Sequence, residues 1–240
     1  MNTERQTTYR QMIASIASNK IVEAELCPFT LIRGANYNGE LLVIGRSVNG
    51  WMYSYCPDDG LAKPKQDEII EQLETYEKEG LHWVYSRESP KKGYNTRRSA
   101  FWRVAKRIAL SRSIVDNERI WSTYIAWTNL YKVSNAVGGN PSETLCNAQF
   151  PYCKRLLQME IRQLKPHTTL FLTGTNWALP FVQECIIPND SQYRSSVVDS
   201  AGIITMGDYS GRYIIAKHPQ GKNEADFVNE IERIWPKGTI

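Results

Sequence analysis

Four short apolar runs constrain the fold of this chain more than any other feature: Leu41 to Ile44, Thr123 to Trp127, Thr168 to Leu172 and Arg212 to Ala216. None shows the strict apolar–polar alternation of a strand with one wet face, so each reads as a strand buried on both sides. Helical periodicities separate them. Thr8 to Asn19 puts Tyr9, Met12, Ile13, Ile16 and Ala17 on one stripe, and Asp67 to Lys78 turns Ile70, Leu73 and Tyr76 inward, with Gly80 as a stop. Ser99 to Leu110 places Phe101, Val104, Ala105 and Ile108 opposite Arg103, Lys106 and Arg107, with Ser99 as a cap. Ser142 to Leu164 holds a long helix ended by Pro166, Asn176 to Cys185 a short one, and Asn223 to Trp235 a last one with Phe227, Ile231 and Ile234 inside. Ser196 to Met206 reads as strand or hairpin. Buried strands joined by helices require a parallel sheet covered on both faces. The expected fold class is α/β, a three-layer sandwich around a central, mainly parallel four-stranded sheet, forming a single domain over 1–240 with an insertion around 52–93.

With 240 residues, 42% of them apolar, the chain is long enough for one sizeable core. It has no run of about 18 apolar residues, and its start, MNTERQTTYRQ, lacks the layout of a secretory signal. No membrane partner and a cytoplasmic location are expected, and the protein is read as a monomer. The five cysteines are an odd number in a large chain, so reduced thiols are the default. Cys146 and Cys153 are too far apart for a CxxC site, so neither a metal nor a cofactor is expected. A net charge of +4 names no partner, but its distribution is uneven: from Lys91 to Arg112 there are eight basic residues and no acidic one. That stretch is either a solvated helix face or a phosphate-binding edge.

Open parallel sheets bind ligands where their strands end. The residues just after the four runs are Gly45 to Trp51, Thr128 to Lys132, Thr173 to Trp177 and Lys217 to Lys222. They carry Asn49, Asn129, Asn176 and His218. Asn offers a donor and an acceptor to an amide-like edge, and His donates near neutral pH, so the set suits a heterocycle. A lone Asn after a strand is otherwise a turn or cap residue. Pro219 restricts His218 to an extended backbone, whereas His167, beside Pro166 at the start of a strand, reads as structural. GxSxG, GxxxxGK[ST], GxGxxG and HExxH are all absent, and the strand ends are poor in carboxylates, which argues against a magnesium nuclease.

Together these strand ends resemble the uracil-DNA glycosylase superfamily. Gly45-Arg46-Ser47-Val48-Asn49-Gly50 stands at the family's first motif, and His218-Pro219-Gln220-Gly221 at its H-P-S type motif. Thr128-Asn129-Leu130-Tyr131-Lys132 is similar to the stretch whose Asn reads the uracil edge. Asn95, followed by Phe101-Trp102-Arg103-Val104, resembles the N-x-F-W-K-V helix start of the mismatch-specific branch with altered spacing, and Glu143 to Gly174 resembles the family's helix, Leu-Lys-Pro and strand. The resemblance implies a DNA partner, single- or double-stranded, from which a uracil or other damaged base is flipped before water cleaves its N-glycosidic bond. His218 would stabilise charge on the base, with Ser47 or Asn49 positioning the water. Gly45, Arg46 and Asn129 would contact the base, with Trp51 or Tyr94 stacking on it. Arg97, Arg98, Gln220, Gly221, Lys222 and Asn223 would meet DNA. The chain departs from the pattern at the first motif, where Ser47 and Val48 replace a carboxylate or Asn followed by Pro, and at Gln220, which replaces the serine of H-P-S. A hydroxyl is a poor base. Two activities are therefore open, an active glycosylase and a non-catalytic binder of nucleic acid or nucleobase; an enzyme acting on a free nucleoside is a third.

Overall fold

A computed structural model describes residues 1–86, 94–115, 117–189 and 195–235, so Lys91 and Lys92 of the basic stretch lie outside the described residues. In chain order the elements are α1 (Thr3–Ala17), β1 (Leu26–Pro28), β2 (Ile32–Arg33), β3 (Leu41–Gly45), α2 (Lys63–Glu79), α3 (His82–Tyr85), α4 (Ala100–Ser111) and β4 (Ala126–Asn129). Then come β5 (Val133–Asn135), α5 (Glu143–Leu164), β6 (Thr168–Leu172), α6 (Thr175–Val182), β7 (Ile186–Pro188), β8 (Val198–Met206), β9 (Tyr209–Ala216) and α7 (Glu224–Ile234). Two compact units share the chain. One comprises Met1–Ile32, Gly45–Glu79 and Thr128–Gln163, the other Arg33–Ile44, Gly80–Trp127 and Leu164–Ile240. Among the described residues no helix is long and apolar enough to cross a membrane.

The class is α/β, but the sheet is larger and less parallel than the sequence implies. Seven strands run in the order β2-β4-β3-β6-β9-β8-β7, rather than four. The expected buried strands form its contiguous middle, where β3 pairs parallel with β6 and β6 with β9. β8 and β7 add an antiparallel edge beyond β9. Met206 and Tyr209 pair across Gly207-Asp208, and Gly207 has φ 65°, the placement of Gly that suits a II′ hairpin turn. Another correction concerns Thr123 to Trp127. Glu118–Tyr124 is a 3-10 turn, and the strand begins only at Ala126. Ser122 Oγ donates to the Leu81 carbonyl at 2.7 Å and Thr123 Oγ1 to that of Ile120 at 2.8 Å, so one long-range and one local bond hold this turn.

Within the first unit, α1 buries Thr8, Tyr9, Met12, Ile13 and Ile16, close to the expected stripe, and β1 pairs antiparallel with β5. What distinguishes this core is charge. Lys132 and Glu160 are both fully buried and paired at 2.7 Å. Lys132 Nζ also donates to Thr128 Oγ1 at 2.6 Å and to the Asn129 carbonyl at 2.8 Å, and Thr128 Oγ1 donates to Glu160 Oε2 at 2.8 Å. Arg5, 1% exposed, lies 2.6 Å from Glu77, donates to Thr30 Oγ1 at 2.7 Å and approaches Glu160 at 3.8 Å. The Met1 ammonium lies 3.3 Å from Glu77 and 3.6 Å from Glu74, so the cluster balances three cations with three carboxylates. Gln149 on α5 adds a side-chain ladder, accepting from the Lys132 and Val133 amides and donating to the Val133 carbonyl at 2.8 Å.

Burial lowers the pKa of Lys132 from its ordinary value, and the facing Glu160 carboxylate opposes that shift. Removing one partner of a buried pair strands the other charge, whereas removing both leaves only a volume to fill. Lys132→Met should therefore destabilise the protein by about 3–5 kcal/mol, and adding Glu160→Leu should recover a substantial part of the loss. Denaturant midpoints of the two variants check this. A double variant as unstable as Lys132→Met would mean that the pair contributes through packing alone.

Candidate functional site

In the first unit the loop Gly45 to Trp51 is bound to the segment that follows β4. The Leu130 amide donates to the Gly45 carbonyl and the Tyr131 amide to the Arg46 carbonyl, both at 2.9 Å, so the two strand ends continue side by side. Asn129 lies between this pairing and the Lys132 ammonium that holds its own carbonyl. Its side chain is 1% exposed, and its Nδ2 has no hydrogen-bond partner among the described residues. An unsatisfied buried donor costs about 1–3 kcal/mol and calls for an explanation in strain or function.

The other first-motif residues have visible structural tasks. Asn49 is exposed, and its Oδ1 accepts from the Gly139 amide at 2.6 Å. Gly138, at φ 104°, passes so close that a Cβ there would sit 2.6 Å from the same oxygen. Asn49 therefore straps the turn that follows β5, whose Val137 is 89% exposed. Trp51 is wedged edge-on between Phe29 at 5.7 Å and Tyr76 at 5.9 Å, which makes it a packing anchor. Ser47 and Arg46 are half-buried, and burial lowers the pKa of the Arg46 guanidinium.

The second unit gathers the remaining candidates. His218 follows β9, and the Gln220 amide donates to its Nδ1 at 3.3 Å. An Nδ1 that accepts a backbone N–H favours the tautomer with the proton on Nε2. Pro219 is buried while Gln220, Gly221, Lys222 and Asn223 are exposed. The Lys222 amide donates to the Pro219 carbonyl at 3.1 Å with Gly221 at φ 74°, a turn that needs Gly at its third position. Asn223 caps α7, its Oδ1 accepting from the Ala225 amide at 3.0 Å and the Asp226 amide at 3.3 Å.

Arg97 and Arg98 are exposed on the 3-10 turn Thr96–Arg98, which buried Thr96 anchors through a 2.8 Å bond to the Val84 carbonyl. Arg103 connects that turn to the start of α7. It donates to the Arg97 carbonyl at 2.8 Å and grips Glu224 with Nε at 2.8 Å and a terminal nitrogen at 2.5 Å. The structure thus brings Arg97 and Arg98 together with the turn Gln220 to Asn223. Tyr94 is half-buried near Trp83, at 6.4 Å between ring centroids, on the margin of a cluster in which Trp102 and Trp127 lie 4.9 Å apart. Burial raises its phenol pKa.

The sequence reading misses Asp199. It treats the sheet edge as poor in carboxylates because it considers only residues that follow a strand. Asp199 is near the start of β8, and because β8 runs antiparallel to β9, its start lies at the end of β9: Val198 faces Ala216. The signal available in the sequence is the Gly207-Asp208 hairpin, which reverses the strand direction.

The strap on the turn after β5 is testable. Asn49→Ala should cost about 1 kcal/mol and accelerate amide exchange at Gly139, whereas Asn49→Asp, which keeps an acceptor, should hold exchange near the wild-type rate. Equal exchange in all three proteins would show that the turn is held by other contacts. No protein-family model matches this sequence, nor does any curated protein, so the chemistry of the site rests on the residues themselves.

Proposed function

We propose that this chain is a DNA glycosylase-like protein of the uracil-DNA glycosylase superfamily, which flips a uracil or other damaged base out of DNA and hydrolyses its N-glycosidic bond. The observation that carries the reading is the setting of His218. Its Nδ1 accepts from the Gln220 backbone, which favours the tautomer with the proton on Nε2, and it leads directly into the exposed turn Gln220 to Asn223. Arg103 connects the start of α7 to Arg97 and Arg98, which adds exposed positive charge to that turn. A neutral imidazole donor stabilises the negative charge that develops on a pyrimidine oxygen as the base leaves, and neighbouring cations hold the phosphates. Asn129, with its unpaired amide donor, is the candidate in the first unit for reading a base edge. The three-layer arrangement typical of that superfamily is part of the proposal.

Incubation with uracil-containing single- and double-stranded DNA, and with a panel of other damaged bases, should yield alkali-labile abasic sites. His218→Ala should lower kcat by about 10²–10³. Asn129→Asp, tested on its own, should change which base is released. No product on any substrate at high protein concentration would leave the non-catalytic reading. One observation favours that second reading: in the first motif Ser47 replaces the usual carboxylate or Asn, and Asn49 Oδ1 is committed to Gly139. The base would then be bound but not released.

Both readings require phosphate contacts. Binding should weaken with salt by about 0.9 log units per decade for each phosphate neutralised. Arg97→Ala with Arg98→Ala should reduce that slope by about 1–2, with Lys222→Ala contributing up to about one more. An unchanged slope would return these residues to a solvated surface.

A further inference from the structure

β8 contains an irregularity near its start. Val198 pairs with Ala216 and Ser200 with Ile215, so Asp199 is one residue more than the facing strand supplies. An extra residue of this kind bends its strand and re-aims the side chain it carries, and such bulges recur beside active sites. Here the side chain is a carboxylate. Its Oδ2 accepts from the Thr175 amide at 3.0 Å, in the first turn of α6. The Gly174 amide donates to the Ala216 carbonyl at 2.8 Å and the Thr173 amide to the same oxygen at 3.1 Å. Asp199 therefore reaches across the last residue of β9 to the residues that follow β6. Gly174 has φ 83°, and a Cβ there would sit 3.8 Å from Oδ2, so the approach is close without crowding.

The surrounding backbone holds this arrangement. The Lys217 amide donates to the Val197 carbonyl at 2.8 Å and Lys217 Nζ to the Ser196 carbonyl at 2.7 Å. Ser195 Oγ accepts from the Val197 and Val198 amides at 3.2 and 3.0 Å. His218 is the next residue after Lys217. Asp199 is half-buried, so water reaches it, and a carboxylate whose Oδ2 holds one amide still has lone pairs for a water. Capping α6 needs only an acceptor oxygen, which Asn or Ser also supplies. Activating water needs an acceptor that takes a proton.

We infer that Asp199 is the general base of the proposed glycosylase and replaces the carboxylate missing from the first motif. The inference rests on the glycosylase reading above. The water oxygen bonds to C1′ of the flipped nucleotide as the C1′–N bond breaks. The electron pair of that bond leaves with the base as an anion, steadied by His218 Nε2–H. The water proton passes to Asp199, which returns it to solvent. The same negative charge opposes the positive charge that builds on the sugar.

The test uses the full chain and two DNA duplexes, one with a cationic pyrrolidine abasic analogue and one with the neutral tetrahydrofuran analogue. Wild type should bind the cationic duplex at least about tenfold more tightly, the effect expected of an opposite charge within about 4–6 Å. D199N, which keeps an acceptor for the Thr175 amide, should bind the two alike and lose about 10²–10⁴ in kcat with little change in KM. D199S is the second variant should D199N fail to fold. Equal binding of both duplexes by wild type, or a preference that survives in D199N or D199S, overturns the assignment while leaving DNA binding intact. Failure of wild type to bind either duplex or uracil-DNA overturns the glycosylase reading and this inference with it.

Discussion

The buried Lys132–Glu160 pair is the interaction on which the first unit depends. Placing two charges where no water reaches is favourable only if their remaining hydrogen-bonding capacity is met inside the protein. Lys132 satisfies this with Thr128, the Asn129 carbonyl and Glu160, and Thr128 also donates to the same carboxylate. Arg5 and Glu77 extend the cluster to α1 and α2. The ammonium grips the backbone carbonyl of Asn129, the last residue of β4, so charge balance deep in the core helps to fix that backbone.

The second unit uses a different device. Its parallel strands end where β8 begins, so a strand of opposite direction supplies to that edge what parallel strands lack. Three turns then control the surface around His218: the Gly221 turn that exposes Lys222, the Asn223 cap that starts α7, and the Thr96–Arg98 turn that Arg103 binds to Glu224. Each turn has a conformational task independent of ligand. The cap at Asn223 is a reminder that an exposed polar residue beside a candidate site can be fully explained by the helix it begins.

Much of the fold was legible. Thr168–Leu172 matches its apolar run residue for residue, and α2, α4, α5 and α7 fall within a few residues of their periodic stripes, because burial of one helix face or of both strand faces leaves a local pattern. The run Thr123 to Trp127 becomes strand only from Ala126, since Ser122 and Thr123 belong to a 3-10 turn tied to the Leu81 and Ile120 carbonyls. The antiparallel edge was only half visible, since Ser196 to Met206 read as strand or hairpin without a direction. Among the candidate residues, Asn129 and His218 are named by the sequence from their places at the ends of apolar runs. The strap made by Asn49 and the packing of Trp51 did not, since their partners Gly139, Phe29 and Tyr76 lie tens of residues away in sequence.

By itself the sequence determined the α/β class, the succession of buried strands and helices, and the short list of residues after each strand, all of which follow from patterns within a few residues. Only the tertiary structure decided that Lys132 is a buried ion rather than a surface lysine, that His218 Nδ1 accepts from the Gln220 amide, and that Asp199 stands at the end of β9. The reason is physical: the charge state, tautomer and direction of a side chain depend on the partners that long-range pairing brings to it. The bulge at Asp199 exists only in the register between β8 and β9.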